Sequence, residues 1–126
     1  MRKVLIIDDD KAFLKFLEDY VRGRCPSLVV ETCVDPLRGL AAINAELDLL
    51  LVDLEMPGLD GTKILAYATA KGLSKSRIII LSGRDADYLH QCFPMGSCLA
   101  VLNKYEAKQK AVLDMVFDSL QQKCAC

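Results

Sequence analysis

The stretch LLLVDLEMPGLDGTKIL, residues 49–65, decides how this chain folds. An apolar run ends in a single acidic residue, Asp53, and a Pro-Gly pair and an Asp-Gly pair follow directly. The residues beyond Gly61 then have the spacing of a helix. A continuous apolar run bounded by turn residues is typical of a strand that is buried on both faces. The stretch therefore predicts a strand, a tight loop and a helix, with a carboxylate where the strand ends.

The same alternation of strand and helix runs along the whole chain. Apolar runs predict strands at 3–7, 28–33, 47–52, 77–81 and 97–103. Helical spacing, caps and stop residues predict helices at 11–23, 36–44, 62–70, 85–92 and 106–122. Because the strands are continuous apolar runs, both faces of their sheet should be covered. The pattern predicts an α/β fold, with a doubly wound, five-stranded parallel sheet and helices on both faces.

The first and last predicted helices should each bury one apolar face. The residues expected in the core are Phe13, Leu14, Leu17 and Val21 in the first helix, and Val112, Leu113, Met115, Val116 and Leu120 in the last.

Composition limits the classes of protein to consider. The chain has 126 residues, of which 52% are hydrophobic, so we expect one domain over 1–122 and a short tail at 123–126. The 16 basic and 17 acidic residues leave no broad basic field for nucleic acid. No apolar stretch approaches the ~20 residues that span a bilayer, and the first residues make a poor signal peptide. We therefore expect a cytoplasmic protein without nucleic acid or membrane partners.

Six cysteines are scattered along the chain without a CxxC pair. In a reducing compartment, most of them are expected to be small buried apolar residues. The last two, Cys124 and Cys126, fall in the expected tail, where fraying is the simplest interpretation. Two thiols are too few to form a metal site by themselves.

Polar residues follow the predicted strands at the points where those strands end. Asp8 and Asp9 follow the first strand, Asp53 the third, Ser82 the fourth, and Lys104 comes just beyond the fifth. In a parallel sheet these ends share one edge, which is where open α/β sheets bind their ligands. We therefore expect acids, a hydroxyl and an amine to meet in one shallow pocket. Each residue alone is more often a cap or a solvated loop residue, so this prediction depends on their joint occurrence.

Such a pocket suits phosphoryl chemistry. Clustered carboxylates repel one another, and a divalent cation can neutralise them. Oxygen donors suit Mg²⁺, which also favours phosphate oxygens. Asp53 stands alone at its strand end and could act as a nucleophile that forms an aspartyl phosphate. Ser82 and Lys104 could hold the remaining oxygens and offset charge on the transferring group.

On these motifs the chain resembles the receiver domain of two-component response regulators. VLIIDDD supplies the family's acidic pair as Asp8 and Asp9, and DLEMPGLDG fits the pattern D-x-x-M-P-x-x-D-G, with Asp53 as the phosphoacceptor. ILSG supplies the hydroxyl as Ser82, and LNK supplies the lysine as Lys104. The resemblance covers nearly the whole chain. It implies a flavodoxin-like fold with strand order 2-1-3-4-5.

The resemblance also implies a set of metal ligands. Asp9 and Asp53 would bind Mg²⁺ directly, together with the backbone carbonyl of Glu55. Asp8 would act mostly through metal-bound water.

The function that the resemblance implies is that of a stand-alone phosphoreceiver. Asp53 would accept a phosphoryl group from a sensor histidine kinase, a phosphotransfer protein or a small phosphodonor. Ser82 would hydrogen-bond that group, and Lys104 would pair with it. The chain would catalyse its own phosphorylation and dephosphorylation rather than turn over a substrate. It would signal through phosphorylation-dependent contacts with a protein target or a second copy of itself.

Two positions depart from the family pattern. Val101 stands where the family usually has an aromatic switch residue, and Tyr105 replaces the proline that usually follows the lysine. We expect a trans Lys104–Tyr105 bond or a strained cis bond, since a cis bond without proline costs ~3–4 kcal/mol. Tyr105, Tyr88 or Phe93 could replace the missing aromatic, or Val101 could be a core residue without a switching role.

Two other functions stay open. The chain could be a degenerate receiver that binds proteins independently of phosphorylation. A small metal-dependent phosphohydrolase is a third reading, in which Glu55 would supply the second acid.

Two charged residues flank the predicted pocket. Glu55 lies two residues beyond Asp53, and Arg84 lies two residues beyond Ser82. We hypothesise that they pair across the pocket mouth and limit attacking water; two solvated charges are the simpler alternative. The single histidine, His90, is expected to be a surface residue on a helix.

Overall fold

The computed structural model describes residues 2–55, 61–83, 88–89, 91, 96, 98–104 and 113–118. Within them the strands are β1 (Lys3–Ile7), β2 (Val29–Cys33), β3 (Leu49–Asp53), β4 (Ile78–Ser82) and β5 (Ala100–Asn103). The helices are α1 (Lys11–Arg24), α2 (Pro36–Ala42) and α3 (Gly61–Ala70), and a single 3₁₀ turn, Lys75–Arg77, precedes β4. Residues 88–89, 91 and 113–118 are helical as well.

The strands form one parallel sheet in the order β2-β1-β3-β4-β5. This confirms the predicted α/β architecture and the implied order. The register aligns the carboxyl ends of the strands: Asp53 pairs with Leu81, and Ser82 pairs with Asn103. Residues from separate parts of the chain that are predicted to form one pocket therefore share one edge of the sheet.

Four strands, β1, β3, β4 and β5, supply side chains to two apolar layers, because successive residues point to opposite faces. In β1, Val4 and Ile6 belong to the layer beneath α1, whereas Leu5 and Ile7 belong to the layer on the other face. The α1 layer contains Leu14, Leu17, Val21, Leu113 and Phe117, all of them buried. The expected apolar face of α1 is thus confirmed.

Aspartate side chains cap the N-termini of α1 and α2. Asp10 accepts bonds from the backbone N–H groups of Ala12 and Phe13, and Asp35 accepts one from Leu37. These bonds satisfy donors that a helix leaves unpaired in its first turn. The cap at Asp10 also holds α1 beside the acidic end of β1.

Four of the five strands differ from their predicted bounds, and β2, β3 and β4 begin one or two residues later than predicted. The strands β3 and β4 each run one residue further, so that Asp53 and Ser82 are their last residues. The ladder continues there because the N–H of Leu54 still donates to the carbonyl of Leu81, at 2.8 Å. The strand β5 begins at Ala100 rather than 97.

One core assignment was wrong. Met115 is 72% exposed, whereas Phe117, which was not assigned to the core, is fully buried. Leu113 and Phe117 lie four positions apart and share the inward face, so Met115, halfway between them, points outward. Val112, Leu120 and most of the predicted helices 85–92 and 106–122 lie outside the described residues, as does the tail.

No helix among the described residues is long and apolar enough to cross a bilayer.

Candidate phosphoryl-acceptor site

Three carboxylates meet at the carboxyl edge of the sheet. Asp8 follows β1 and is fully buried, Asp53 ends β3 and is 2% exposed, and Asp9 is exposed. One oxygen from each of the three lies within 4.8 Å of the others. The structure therefore brings together the acids that sequence reasoning had placed at separate strand ends.

Backbone hydrogen bonds orient the two buried carboxylates. The N–H of Asp10 donates to Asp8 Oδ1 over 2.9 Å, and the N–H of Glu55 donates to Asp53 Oδ1 over 3.0 Å. The backbone of Asp8 is itself fixed, because its N–H donates to the carbonyl of Cys33 at 3.1 Å. In each carboxylate a backbone N–H thus binds Oδ1, and Oδ2 faces the Lys104 amine.

The Lys104 amine bridges the two carboxylates. Its Nζ lies 2.8 Å from Asp8 Oδ2 and 3.3 Å from Asp53 Oδ2, and its side chain is only 6% exposed. The backbone is anchored because the N–H of Lys104 donates to the carbonyl of Ser82 over 2.8 Å. Nζ also lies over the ring of Phe13, 4.7 Å from its centre.

The charges in this cluster shift one another's pKa values. Burial raises the pKa of Asp53, and the charge of Asp8 adds to this, although the N–H of Glu55 and the Lys104 amine oppose it. The pKa of Asp9 is also raised, by burial and then by its hydrogen bond to Asp53 and by that residue's charge. Burial acts to lower the pKa of Lys104, but its bonds to Asp8 and Asp53 outweigh burial and raise it. Because a single amine faces three carboxylates, the pocket keeps an excess of negative charge.

The acidic cluster fits a hard divalent cation. Its donors are carboxylate oxygens, which Mg²⁺ prefers. Among the described residues, the buried Asp8 Oδ2 has its ion pair with Lys104 and no further partner. A cation beside Asp8, Asp9 and Asp53 would neutralise the negative charge that Lys104 leaves uncompensated.

The hydroxyl of Ser82 already has an acceptor. Ser82 is fully buried at the end of β4, and its Oγ donates to Glu55 Oε1 over 2.7 Å. Sequence reasoning missed this contact and assigned Glu55 to Arg84 instead. Arg84 lies outside the described residues, so the proposed pair stays a prediction. Only the position of Glu55, two residues after Asp53, indicated that it could reach the pocket.

The remaining predicted positions contribute less to the site as described. Val101 is half-buried and packs against the layer opposite α1, and Tyr88 is 36% exposed. Tyr105, Phe93 and His90 lie outside the described residues, as do residues 56–60 of the loop after β3. The trans or strained cis geometry expected for the Lys104–Tyr105 peptide bond therefore stays a prediction.

Fold and site together define a class of protein: a parallel α/β domain with an acidic cluster, a hydroxyl and an amine at one sheet edge. The chain belongs to the family of response regulator receiver domains, whose model matches residues 4–115. The resemblance identified from the sequence is confirmed.

Curated relatives agree with this assignment. The chain is 29% identical over 126 residues to protein-glutamate methylesterase/protein-glutamine glutaminase 6 of Anaeromyxobacter dehalogenans, a match that covers 98% of this chain. It is 32% identical over 93 residues, 68% of this chain, to the two-component response regulator ORR26 of Oryza sativa. These matches span only 34% and 14% of the relatives' own lengths.

Solved structures share the fold. A response regulator receiver domain protein from Clostridium thermocellum superposes with a TM-score of 0.72 at 22% identity, with 99% of this chain and 98% of the other covered. The chemotaxis response regulator CheY4 of Vibrio cholerae gives a TM-score of 0.73 at 21% identity, with 91% and 96% covered. At these identities the likeness concerns the fold.

Proposed function

We propose that Asp53 accepts a phosphoryl group from the phosphohistidine of a sensor histidine kinase or of a phosphotransfer protein. The observation that carries this proposal is the setting of the Asp53 carboxylate. It is buried at a strand end, its Oδ1 is held by the N–H of Glu55, and its Oδ2 lies 3.3 Å from the Lys104 amine. A fixed carboxylate that lies beside an amine and further acids is suited to forming an acyl phosphate intermediate.

The side chains divide the work of the transfer. An oxygen of Asp53 forms the new bond to phosphorus while the bond between phosphorus and the donor's imidazole nitrogen breaks. Lys104 offsets the added negative charge from its position beside Asp53 Oδ2. The hydroxyl of Ser82 donates to a phosphoryl oxygen once it leaves Glu55, its present acceptor.

The acidic cluster would hold the metal that the reaction requires. Asp9, Asp53 and the backbone carbonyl of Glu55 would bind Mg²⁺, and Asp8 would do so through water. When bound, the ion supplies positive charge to the oxygens of the transferring group.

Phosphorylation would act on other proteins by changing this chain's surface. Exchange of the acceptor at Ser82 moves a hydroxyl at the end of β4, beside β5, and would alter contacts with a downstream target or a second copy of the chain. The scattered cysteines of the chain, none of them in a CxxC pair, suit a reducing compartment, so the proposal includes a cytoplasmic location.

Intact-mass measurement tests the proposal. The chain is incubated with Mg²⁺ and acetyl phosphate or a phosphoramidate, and wild type should gain one phosphoryl group. Asp53→Asn keeps the size of the side chain and should gain none. Asp19→Asn is the matched control, since Asp19 is an exposed aspartate on α1, and it should be modified like wild type. Wild type that stays unmodified, or a modified Asp53→Asn, contradicts the proposal.

The bond between Ser82 and Glu55 favours a second candidate, a receiver that binds its partner without phosphorylation. In that case the hydroxyl keeps its present acceptor permanently. Partner binding that is equal for wild type and Asp53→Asn, together with an unmodified wild type, would identify this function.

A further inference from the structure

The ring of Phe13 stands against the amine that the proposed reaction depends on. Nζ of Lys104 lies 4.7 Å from the centre of this ring, within the ~6 Å over which a cation is attracted to an aromatic face. The same amine contacts Asp8 Oδ2 and Asp53 Oδ2. Two carboxylates and one ring therefore surround a nearly buried ammonium group.

The position of the ring is fixed from two directions. The N–H of Phe13 donates to the capping carboxylate of Asp10 over 3.2 Å, which sets the first turn of α1. The ring stacks on Phe16, with centres 6.1 Å apart and planes at 30°, and packs against the buried layer beneath α1. A ring held in this way restricts where the long lysine side chain can place its amine.

An aromatic face restricts the orientation of the amine less than a carboxylate does. It attracts the positive charge without fixing the direction of the N–H bonds. The amine can therefore exchange one acceptor for another while its contact with the ring persists. Transfer to Asp53 requires such an exchange, because phosphoryl oxygens then compete with Asp8 and Asp53 for the three donors of Lys104.

We propose that Phe13 is a positioning residue that holds the Lys104 amine against the phosphoryl-acceptor site through the face of its ring. This inference rests on the proposed function, since it assigns a residue to that same reaction. A side chain of similar bulk without a ring should fill the space and leave the amine less well placed.

Graded fluorination of the ring tests the inference in the full-length chain. Phe13 is replaced by mono-, di- and trifluorophenylalanine, which weaken the negative ring face while largely keeping its shape. With Mg²⁺ and acetyl phosphate, the rate of Asp53 phosphorylation should fall step by step, by roughly three- to tenfold across the series. Phe13→Leu should be as slow as the trifluoro variant, and Phe13→Trp should retain the wild-type rate. The same fluorinated residues at position 67 should leave the rate unchanged, because the ring of Tyr67 lies over the amine of Lys71, 5.5 Å from it, and not over that of Lys104.

Nuclear magnetic resonance supplies a readout that does not need phosphorylation. The protons on Cε of Lys104 should be shifted upfield by the ring in wild type, and Phe13→Leu should remove that shift. Equal shifts in the two proteins overturn the inference. If wild type is phosphorylated, equal phosphorylation rates across the fluorinated series overturn it as well. A wild type that shows the ring shift but takes no phosphoryl group instead contradicts the proposed function.

Discussion

The hydroxyl of Ser82 donates a 2.7 Å hydrogen bond to the side-chain carboxylate of Glu55, and Glu55 in turn donates its backbone N–H to Asp53. One residue thus touches both the proposed nucleophile and the hydroxyl expected to stabilise its product. The side chain of Glu55 occupies the Ser82 hydroxyl that a phosphoryl oxygen would need as a donor. Its own negative charge also repels the incoming phosphoryl group.

Glu55 should therefore slow phosphorylation of Asp53. We expect Glu55→Ala to accept phosphoryl groups from acetyl phosphate faster than wild type, by roughly three- to tenfold, the equivalent of about 1 kcal/mol, which is the net contribution of a typical hydrogen bond. Glu55→Gln keeps an acceptor without the charge and should fall between the two. Time courses of intact mass at fixed Mg²⁺ measure these rates.

The contact with Ser82 can be separated from the charge by a double-mutant cycle. Once Ser82→Ala has removed the donor, Glu55→Ala should accelerate the reaction less than it does in wild type. Equal acceleration in both backgrounds would mean that the hydrogen bond has no part in the effect.

The acidic cluster should be stabilised by a cation. Without metal, Asp9→Asn should raise the free energy of unfolding by less than about 1 kcal/mol, because it relieves repulsion on an exposed group. Mg²⁺ at tenfold over its dissociation constant should stabilise wild type by about 1.4 kcal/mol, and Asp9→Asn by less. Thermal unfolding with Mg²⁺ and with a chelator measures both effects.

Asp10→Asn is the matched control for this experiment. Asp10 neighbours Asp9 but caps α1, and asparagine caps a helix about as well as aspartate. Its response to Mg²⁺ should equal that of wild type. If Mg²⁺ stabilises Asp10→Asn as weakly as it stabilises Asp9→Asn, the effect at Asp9 comes from a nearby charge and not from a metal ligand.

The sequence predicted the sheet and the meeting of the acids for one physical reason. Buried parallel strands must be continuously apolar, so the first polar residue marks the strand end, as Asp8 does after β1. The parallel direction then brings those ends to one edge. Strand order came from the family resemblance, because apolar runs do not specify which strands are neighbours.

The contacts that sequence reasoning missed are those between side chains of separate elements. Glu55 and Ser82 are 27 positions apart, and no periodicity links them. Phe13 was assigned to the core by its helical spacing, but the same spacing does not show that its ring faces Lys104. Met115 was misplaced because the direction of the helix relative to the sheet decides which apolar residues point inward.

Close packing between α2 and β1 makes Gly39 sensitive to substitution. A Cβ added there would lie 2.7 Å from Cγ2 of Ile7, a fully buried residue, and 2.9 Å from two further carbons of that side chain. We expect Gly39→Ala to lower the free energy of unfolding by about 1–3 kcal/mol through overpacking. Urea denaturation measures the change.

Gly23 provides the comparison for Gly39. It also lies in a helix, α1, but a Cβ added there would meet nothing within 4 Å. Gly23→Ala should therefore stabilise the protein by about 0.5–1 kcal/mol, because alanine is the better helix former. Two substitutions with the same sign would contradict the packing argument.

An ion pair at the opposite end of the sheet should make stability depend on pH. Asp48 Oδ1 lies 2.8 Å from Arg2 Nη1, and its Oδ2 accepts the N–H of Lys3 at 2.8 Å. Burial acts to raise the pKa of Asp48, but the bonds to Arg2 and Lys3 outweigh burial and lower it. A carboxylate whose pKa is lower in the folded state contributes stability above its unfolded pKa, and this is lost as the pH falls through the folded pKa.

Asp48→Asn should therefore destabilise the protein at pH 7 by about 1.5–3 kcal/mol, the range for hydrogen bonds to charged groups. The difference from wild type should shrink below about pH 4, where the carboxyl of the unfolded chain is already half protonated. Asp19→Asn, in the exposed pair between Asp19 and Lys15, should change stability by under about 0.5 kcal/mol at either pH. Urea denaturation from pH 7 downward measures both variants. A gap between wild type and Asp48→Asn that stays constant with pH would show that the bond, and not its charge, sets the contribution.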